Sequence, residues 1–156
     1  MTASNPEFWT VMEELIASSE IVIDRPRGSR HPRHPEIIYP LDYGYLANTA
    51  SPDGEGIDVW LGSGEDRTLR AVLLSVDLEK RDSEIKLMLG LSEEETEAIY
   101  AFYNEYPGMK ALLIRREGEA DKEGGPKGRL APRTAAKRIP QGRSRDSASG
   151  RGEADI

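Results

Sequence analysis

Asp53-Gly54-Glu55-Gly56-Ile57-Asp58-Val59-Trp60-Leu61 changes character halfway along. Its first half is acid and glycine, the composition of a turn. Its second half alternates: Ile57, Val59 and Leu61 fall on one side and Asp58 and Trp60 on the other, because successive strand side chains point to opposite faces. A strand of this kind predicts a sheet with an aliphatic face and a face that carries chemistry. Working outward, Leu69 to Val76 reads as a further strand, too apolar throughout for its faces to be separated. Ile85 to Leu89 alternates again, with Lys86 and Met88 opposite Ile85, Leu87 and Leu89. The β-branched run Ile21-Val22-Ile23 within Glu20 to Asp24, stopped by Pro26, and the stretch Met109 to Arg115 add two more.

Helices are predicted at both ends of this series. Asn5, Pro6 and Glu7 supply a capping side chain, a proline at the first helical position and an acid near the positive dipole end. Phe8, Val11, Met12, Leu15 and Ile16 then recur at helical spacing, giving a helix from about Pro6 to Ala17. Ser92 followed by Glu95 forms a capping box ahead of Ile99, Phe102 and Tyr103, so a second helix ends before Pro107. The expected class is mainly β within α+β: a small five-stranded β-barrel with flanking helices.

Composition divides the chain. From Asp121 to Ile156 nine Lys and Arg face five Asp and Glu, with few large apolar side chains and repeated Gly, Ser and Pro. Residues 119–156 therefore read as a basic, disordered tail and residues 1–118 as the folded domain. Residues 1–120 hold 12 basic and 23 acidic residues. Such an acidic surface argues against nonspecific nucleic-acid binding, a clustered set of acids favours divalent cations, and no specific nucleic acid is expected as a partner. Without cysteine there is neither a disulfide framework nor a thiolate metal site, so oxygen or imidazole must hold any metal. The N-terminal residues do not read as the basic, apolar, small-residue pattern of a signal sequence, and no apolar run approaches the roughly 20 residues needed to span a bilayer. A cytoplasmic protein with no membrane partner is expected.

Asp53, Glu55 and Asp58 fall within six residues, and Asp77 and Asp82 flank the Leu78-Glu79-Lys80-Arg81 connection. Brought to adjacent strand ends, five carboxylates repel one another unless cations or protons intervene. Magnesium takes oxygen ligands, keeps several waters and bridges carboxylates to substrate phosphates. The competing reading makes Asp53-Gly54 an ordinary turn and Asp77 to Asp82 a solvated hairpin. Arg25 to Pro35 is a cationic loop with four arginines, three prolines and two histidines. The two histidines are expected to meet phosphate or solvent rather than a metal.

The run Tyr39-Pro40-Leu41-Asp42-Tyr43-Gly44-Tyr45, then Thr49, then Asp53 to Asp58, then Asp77 and Asp82 five apart, resembles the soluble family I inorganic pyrophosphatases in order and spacing. The resemblance extends from about Ile21 to Ile114. It implies a small barrel of the OB type, several magnesium ions and hydrolysis of pyrophosphate to two phosphates. It makes Asp53, Asp58 and Asp82 ligands of the tightest metals, Asp77 a ligand joining with substrate, and Glu55 the general base. Lys86, after a shift of two residues that keeps its strand face, and Tyr103 match residues holding the outgoing phosphate. Tyr39 and Tyr43 match tyrosines lining the site. The family usually has aspartate where Glu55 stands and a lysine where Asn104 stands. The chain also lacks the lysine-tyrosine-glutamate strand and arginine hairpin that normally grip phosphate. Arg25, Arg27, Arg30, His31 and Arg33 are the candidates to replace them, because guanidinium forks bind phosphate oxygens bidentately.

The function implied is magnesium-dependent hydrolysis of pyrophosphate by metal-activated water, with residues 1–118 as the catalytic domain. Lys86, Tyr103 and the arginine loop are expected to stabilise charge on the leaving phosphate. Two alternatives accompany this reading: a hydrolase of organic diphosphates and a noncatalytic OB-type binding module. A homo-oligomer is compatible with the sequence.

Overall fold

The computed structural model describes residues 5–52 and 54–118, together with the backbone of 137 and 138. Its elements are α1 (Pro6–Ala17), β1 (Ile21–Arg25), β2 (Asp42–Leu46), β3 (Ile57–Leu61), β4 (Leu69–Asp77), β5 (Asp82–Leu89), α2 (Glu93–Asn104), β6 (Met109–Arg115) and the short β7 (Lys137–Arg138). The remainder of the expected tail, 119–136 and 139–156, lies outside the described residues, as does Asp53.

The α+β class is as expected, but the sheet is open and holds one more long strand than predicted. Its order is β6-β4-β5-β3-β2-β1-β7. The additional strand is β2, whose tyrosines pair antiparallel with both β1 and β3. A closed barrel requires the outermost strands to pair. Here the free edge of β1 pairs in parallel with β7, and β6 forms the opposite edge beside β4. β5 enters between β4 and β3, antiparallel to the first and parallel to the second.

Each helix starts as its sequence dictates. Asn5 Oδ1 accepts a hydrogen bond from the Glu7 amide at 3.1 Å, with Pro6 in the first turn. Ser92 Oγ accepts from the Glu95 amide at 3.1 Å, and Glu95 Oε1 accepts from the Ser92 amide at 2.9 Å. The same Glu95 oxygen accepts from the Ser63 amide at 3.1 Å, which ties α2 to the turn after β3.

The helices cover opposite faces of the sheet. Trp9, Met12, Leu15 and Ile16 of α1 pack on Ile21, Ile23, Leu46, Val59, Val72, Leu87 and Leu89. Ile99, Phe102 and Tyr103 of α2 pack on Tyr39, Tyr43, Trp60, Ala71, Leu73 and Met88. β4, whose faces are indistinct in sequence, thus sends Val72 to the first layer and Ala71 and Leu73 to the second. Two details set the aromatic face. A register irregularity between Ile23 and Arg25 brings Arg25 opposite Tyr43. Close approach of β1 and β2 requires Gly44, since a Cβ there would stand 1.9 Å from the Val22 carbonyl oxygen.

Candidate functional site

The parallel register of β3 and β5 places Asp58 opposite Lys86, and the antiparallel register of β2 and β3 places Tyr43 opposite Trp60. All four side chains share the face covered by α2, the consequence of strand alternation extended across three strands. Lys86 is buried, and its Nζ donates to Asp58 Oδ2 at 2.8 Å, Glu84 Oε1 at 2.7 Å and the Tyr43 hydroxyl at 3.1 Å. The ammonium also lies 5.5 Å from the Tyr43 ring centre and 5.8 Å from that of Tyr103. Tyr103 is fully buried, and its hydroxyl accepts from Trp60 Nε1 at 3.1 Å.

Asp82, Glu84 and Lys86 are spaced by two along β5, and Lys80 precedes them in the hairpin turn. Lys80 Nζ lies 3.9 Å from Glu84 Oε2 and 3.6 Å from Asp82 Oδ2. Charge therefore alternates through five side chains: Asp58, Lys86, Glu84, Lys80 and Asp82. Exposure grows along this ladder, from 2% for the Lys86 side chain to 25% for Asp82. Burial works against the charged lysine, but Asp58 and Glu84, joined by Tyr43 and Tyr103, outweigh it and hold the ammonium well above lysine's ordinary range. Burial also raises the Tyr103 phenol well above its usual range, against the pull of Lys86. At the outer end burial raises the Asp82 carboxyl, with Lys80 opposing the rise and Glu84 adding to it.

The cationic segment forms the loop between β1 and β2, with Arg30 bridged to Ile38. Its polar groups are largely engaged in building that loop. Arg25 is buried, and its Nη1 donates to the Tyr39 hydroxyl at 2.5 Å while the guanidinium sits 5.5 Å from the Tyr39 ring centre. The Arg27 amide donates to Asp42 Oδ1 at 2.8 Å, and Arg30 Nη1 donates to the Pro35 carbonyl at 2.8 Å. His31 is buried with Nδ1 accepting from the Arg33 and His34 amides at 3.0 and 3.2 Å, while its ring stacks 6.3 Å from Tyr39. Tyr39 lies 5.6 Å from the Tyr43 ring and 6.0 Å from Trp60, so loop and ion cluster meet through one aromatic layer.

The structure thus gathers Asp58, Lys86, Tyr43, Tyr103 and, through Tyr39, Arg25 and His31. It adds two residues that were not singled out, Glu84 and Lys80. Glu84 could have been found by extending the alternation of β5 two residues toward Asp82. Glu55 is half-buried in the turn before β3. Asp77 Oδ1 accepts from the Glu79 and Lys80 amides at 2.9 and 3.2 Å, so this carboxylate shapes the β4–β5 turn. Asn104, at the position of the expected lysine, joins α2 to β6: its Oδ1 accepts from the Ala111 amide at 3.1 Å.

Among the described residues these carboxylates do not fit a resident divalent ion. Asp58 and Glu84 converge on an ammonium, Asp82 faces another, and Asp77 caps a turn. Among the described residues no three His, Cys, Asp or Glu side chains are grouped to hold a metal.

Fold and site together define an α+β protein with a mixed open sheet between two helices and a buried, alternating ion ladder on its aromatic face. That fold is similar to the inorganic pyrophosphatase from Neisseria gonorrhoeae, at a TM-score of 0.51 and 18% identity, over 67% of this chain and 86% of that one. An inorganic pyrophosphatase from Helicobacter pylori aligns at a TM-score of 0.46 and 19% identity, over 65% of this chain and 86% of that one. The Thermus thermophilus inorganic pyrophosphatase aligns at 0.45 and 18%, over 67% and 86%. No protein-family model matches the chain, nor does any curated protein. The likeness to the Neisseria gonorrhoeae structure shows the fold, and the chain resembles inorganic pyrophosphatases in that respect.

Proposed function

We propose that this chain hydrolyses pyrophosphate to two phosphates. The observation that supports this most is the meeting of Lys86, Tyr43 and Tyr103 with Asp58 and Glu84 on one face of a pyrophosphatase-like sheet. Pyrophosphate carries several negative charges, and its hydrolysis depends on offsetting them while water is aligned and deprotonated. Lys86, held by the Tyr43 hydroxyl, fixes the positions of Asp58 and Glu84 on that face. Glu55, in the turn leading into β3, is assigned to accept the proton of the attacking water. Magnesium would be carried on the substrate's phosphate oxygens, where it would offset their charge, and Asp82 is the ladder carboxylate most open to solution.

Phosphate release from pyrophosphate in magnesium buffer is the test. Turnover is expected, with EDTA stopping it by stripping the substrate's ion, and Glu55→Gln is expected to lower kcat by about 100-fold or more. No release in either condition overturns the reading. Release from nucleoside diphosphates with none from pyrophosphate replaces it with an organic diphosphate hydrolase. A second reading, a noncatalytic module, draws on the enclosure of Lys86 by three acceptors that match its three protons. That reading predicts no turnover with any diphosphate.

A further inference from the structure

We propose that Lys86 is a tethered counter-cation standing in place of a divalent ion, so that the buried carboxylates need no metal to fold or to hold their geometry. The inference concerns the ion ladder itself and is independent of whether pyrophosphate is the substrate.

Two carboxylates converge where a hard cation would normally be required. Asp58 Oδ2 and Glu84 Oε1 approach one point from adjacent parallel strands, and at that point stands Lys86 Nζ, 2.8 and 2.7 Å away. These are the lengths of charge-assisted hydrogen bonds. The third proton meets the Tyr43 hydroxyl at 3.1 Å, and the Tyr43 and Tyr103 rings lie within 5.8 Å of the charge. Every donor of the ammonium is thereby used, and its charge is further balanced by ring faces. The next gap is spanned more loosely, with Lys80 Nζ 3.9 Å from Glu84 and 3.6 Å from Asp82. Within the ladder three carboxylates alternate with two ammoniums, and its outer end is partly exposed.

A metal could enter the inner position only by displacing an ammonium that is covalently attached to β5 and therefore present at very high effective concentration. Desolvating a divalent ion to do so is unfavourable, since magnesium gives up its water reluctantly. Removing the lysine side chain reverses the situation. Asp58 and Glu84 would then lack the ammonium that joins them, leaving a space between them for a hydrated ion.

The experiment is thermal unfolding of the full chain in EDTA, magnesium and manganese at matched ionic strength, with calorimetric titration of each metal into metal-free protein. Without substrate, the unaltered chain is expected to show a Tm shift below about 1 °C and no saturable heat, because a ligand stabilises only through binding the folded state. Lys86→Ala is expected to be less stable in EDTA and to regain roughly 4 °C or more in millimolar metal, with saturable heat. Asp58→Asn in the Lys86→Ala background should abolish that rescue. Magnesium stabilisation of the unaltered chain that Asp58→Asn removes would overturn the proposal, even if Lys86→Ala fails to fold. So would a folded Lys86→Ala that ignores both metals.

Discussion

The two faces of this sheet are built from the same strands but solve different problems. Beneath α1, Ile21, Ile23, Val59, Leu87 and Leu89 bury hydrocarbon against hydrocarbon. Beneath α2, alternate positions of β3 and β5 place Asp58, Trp60, Lys86 and Met88 among aromatic rings, with Tyr43 of β2 beside them. The first face is stabilised by removal of apolar surface from water, a non-directional effect that tolerates replacement by residues of similar volume. The second depends on each charge meeting its partner, because a buried ion left alone is costly. One period-two pattern thus yields a forgiving layer and an exacting one.

The sharpest way to break this contrast is to substitute neighbouring residues that face opposite layers. Lys86→Met preserves much of the volume but removes the ammonium shared by two buried carboxylates, and is expected to cost about 3–5 kcal/mol at neutral pH by denaturant unfolding. Folding raises the lysine's proton affinity, so its stabilisation is complete below its ordinary value of 10.5 and fades only as pH rises through the higher folded value. Leu87→Ala should cost about 2–4 kcal/mol through a cavity, with little dependence on pH. If both losses respond identically to pH, the distinction between faces fails.

Smaller effects sharpen the comparison at the margins of the second face. Glu95→Gln weakens the capping box that anchors α2 and is expected to cost about 0.5–1 kcal/mol at neutral pH. Burial opposes ionisation of Glu95, but hydrogen bonds from Ser92 and Ser63 prevail and lower its carboxyl below 4.5. That contribution is present above 4.5 and lost as pH falls through the folded value, so the variant and parent curves should converge in acid. Asp82→Asn has the opposite sign. Burial raises the Asp82 carboxyl above 3.8, so the native state holds its proton longer and stability declines as pH rises past that value. Replacing it should leave stability unchanged or raise it by less than about 0.5 kcal/mol at neutral pH, by the same unfolding measurement.

Local pattern carried most of the elements. The capping signals of Asn5 and Ser92 mark helices that begin where expected, and the alternation of Ile57–Leu61 correctly separates its two faces. β2 escaped because Asp42-Tyr43-Gly44-Tyr45-Leu46 has a glycine at its centre, and its strand character arises from pairing on both sides. Sheet closure was equally hidden, since it depends on which edges meet rather than on any one strand. At the site, Asp58 and Lys86 were legible as face-sharing polar residues, but their bond was not. It spans 28 positions and follows from the parallel register of β3 with β5. The loop residues carried a different ambiguity. Composition identifies their charge, whereas only geometry shows the Arg30 side chain holding a carbonyl and the His31 ring accepting two amides.

The insertion of β5 between β4 and β3 bears on the order of assembly. The β4–β5 hairpin joins neighbours in sequence, so it can form early, while docking against β3 closes a longer loop. The bond between Lys86 and Asp58 belongs to that later step, after the hairpin has already brought Glu84 and Lys86 onto one strand face. An interaction completed after the transition state governs escape from the native state more than entry into it. If docking against β3 follows the transition state, the inner rung acts as a kinetic latch, and Lys86→Met will speed unfolding more than it slows folding.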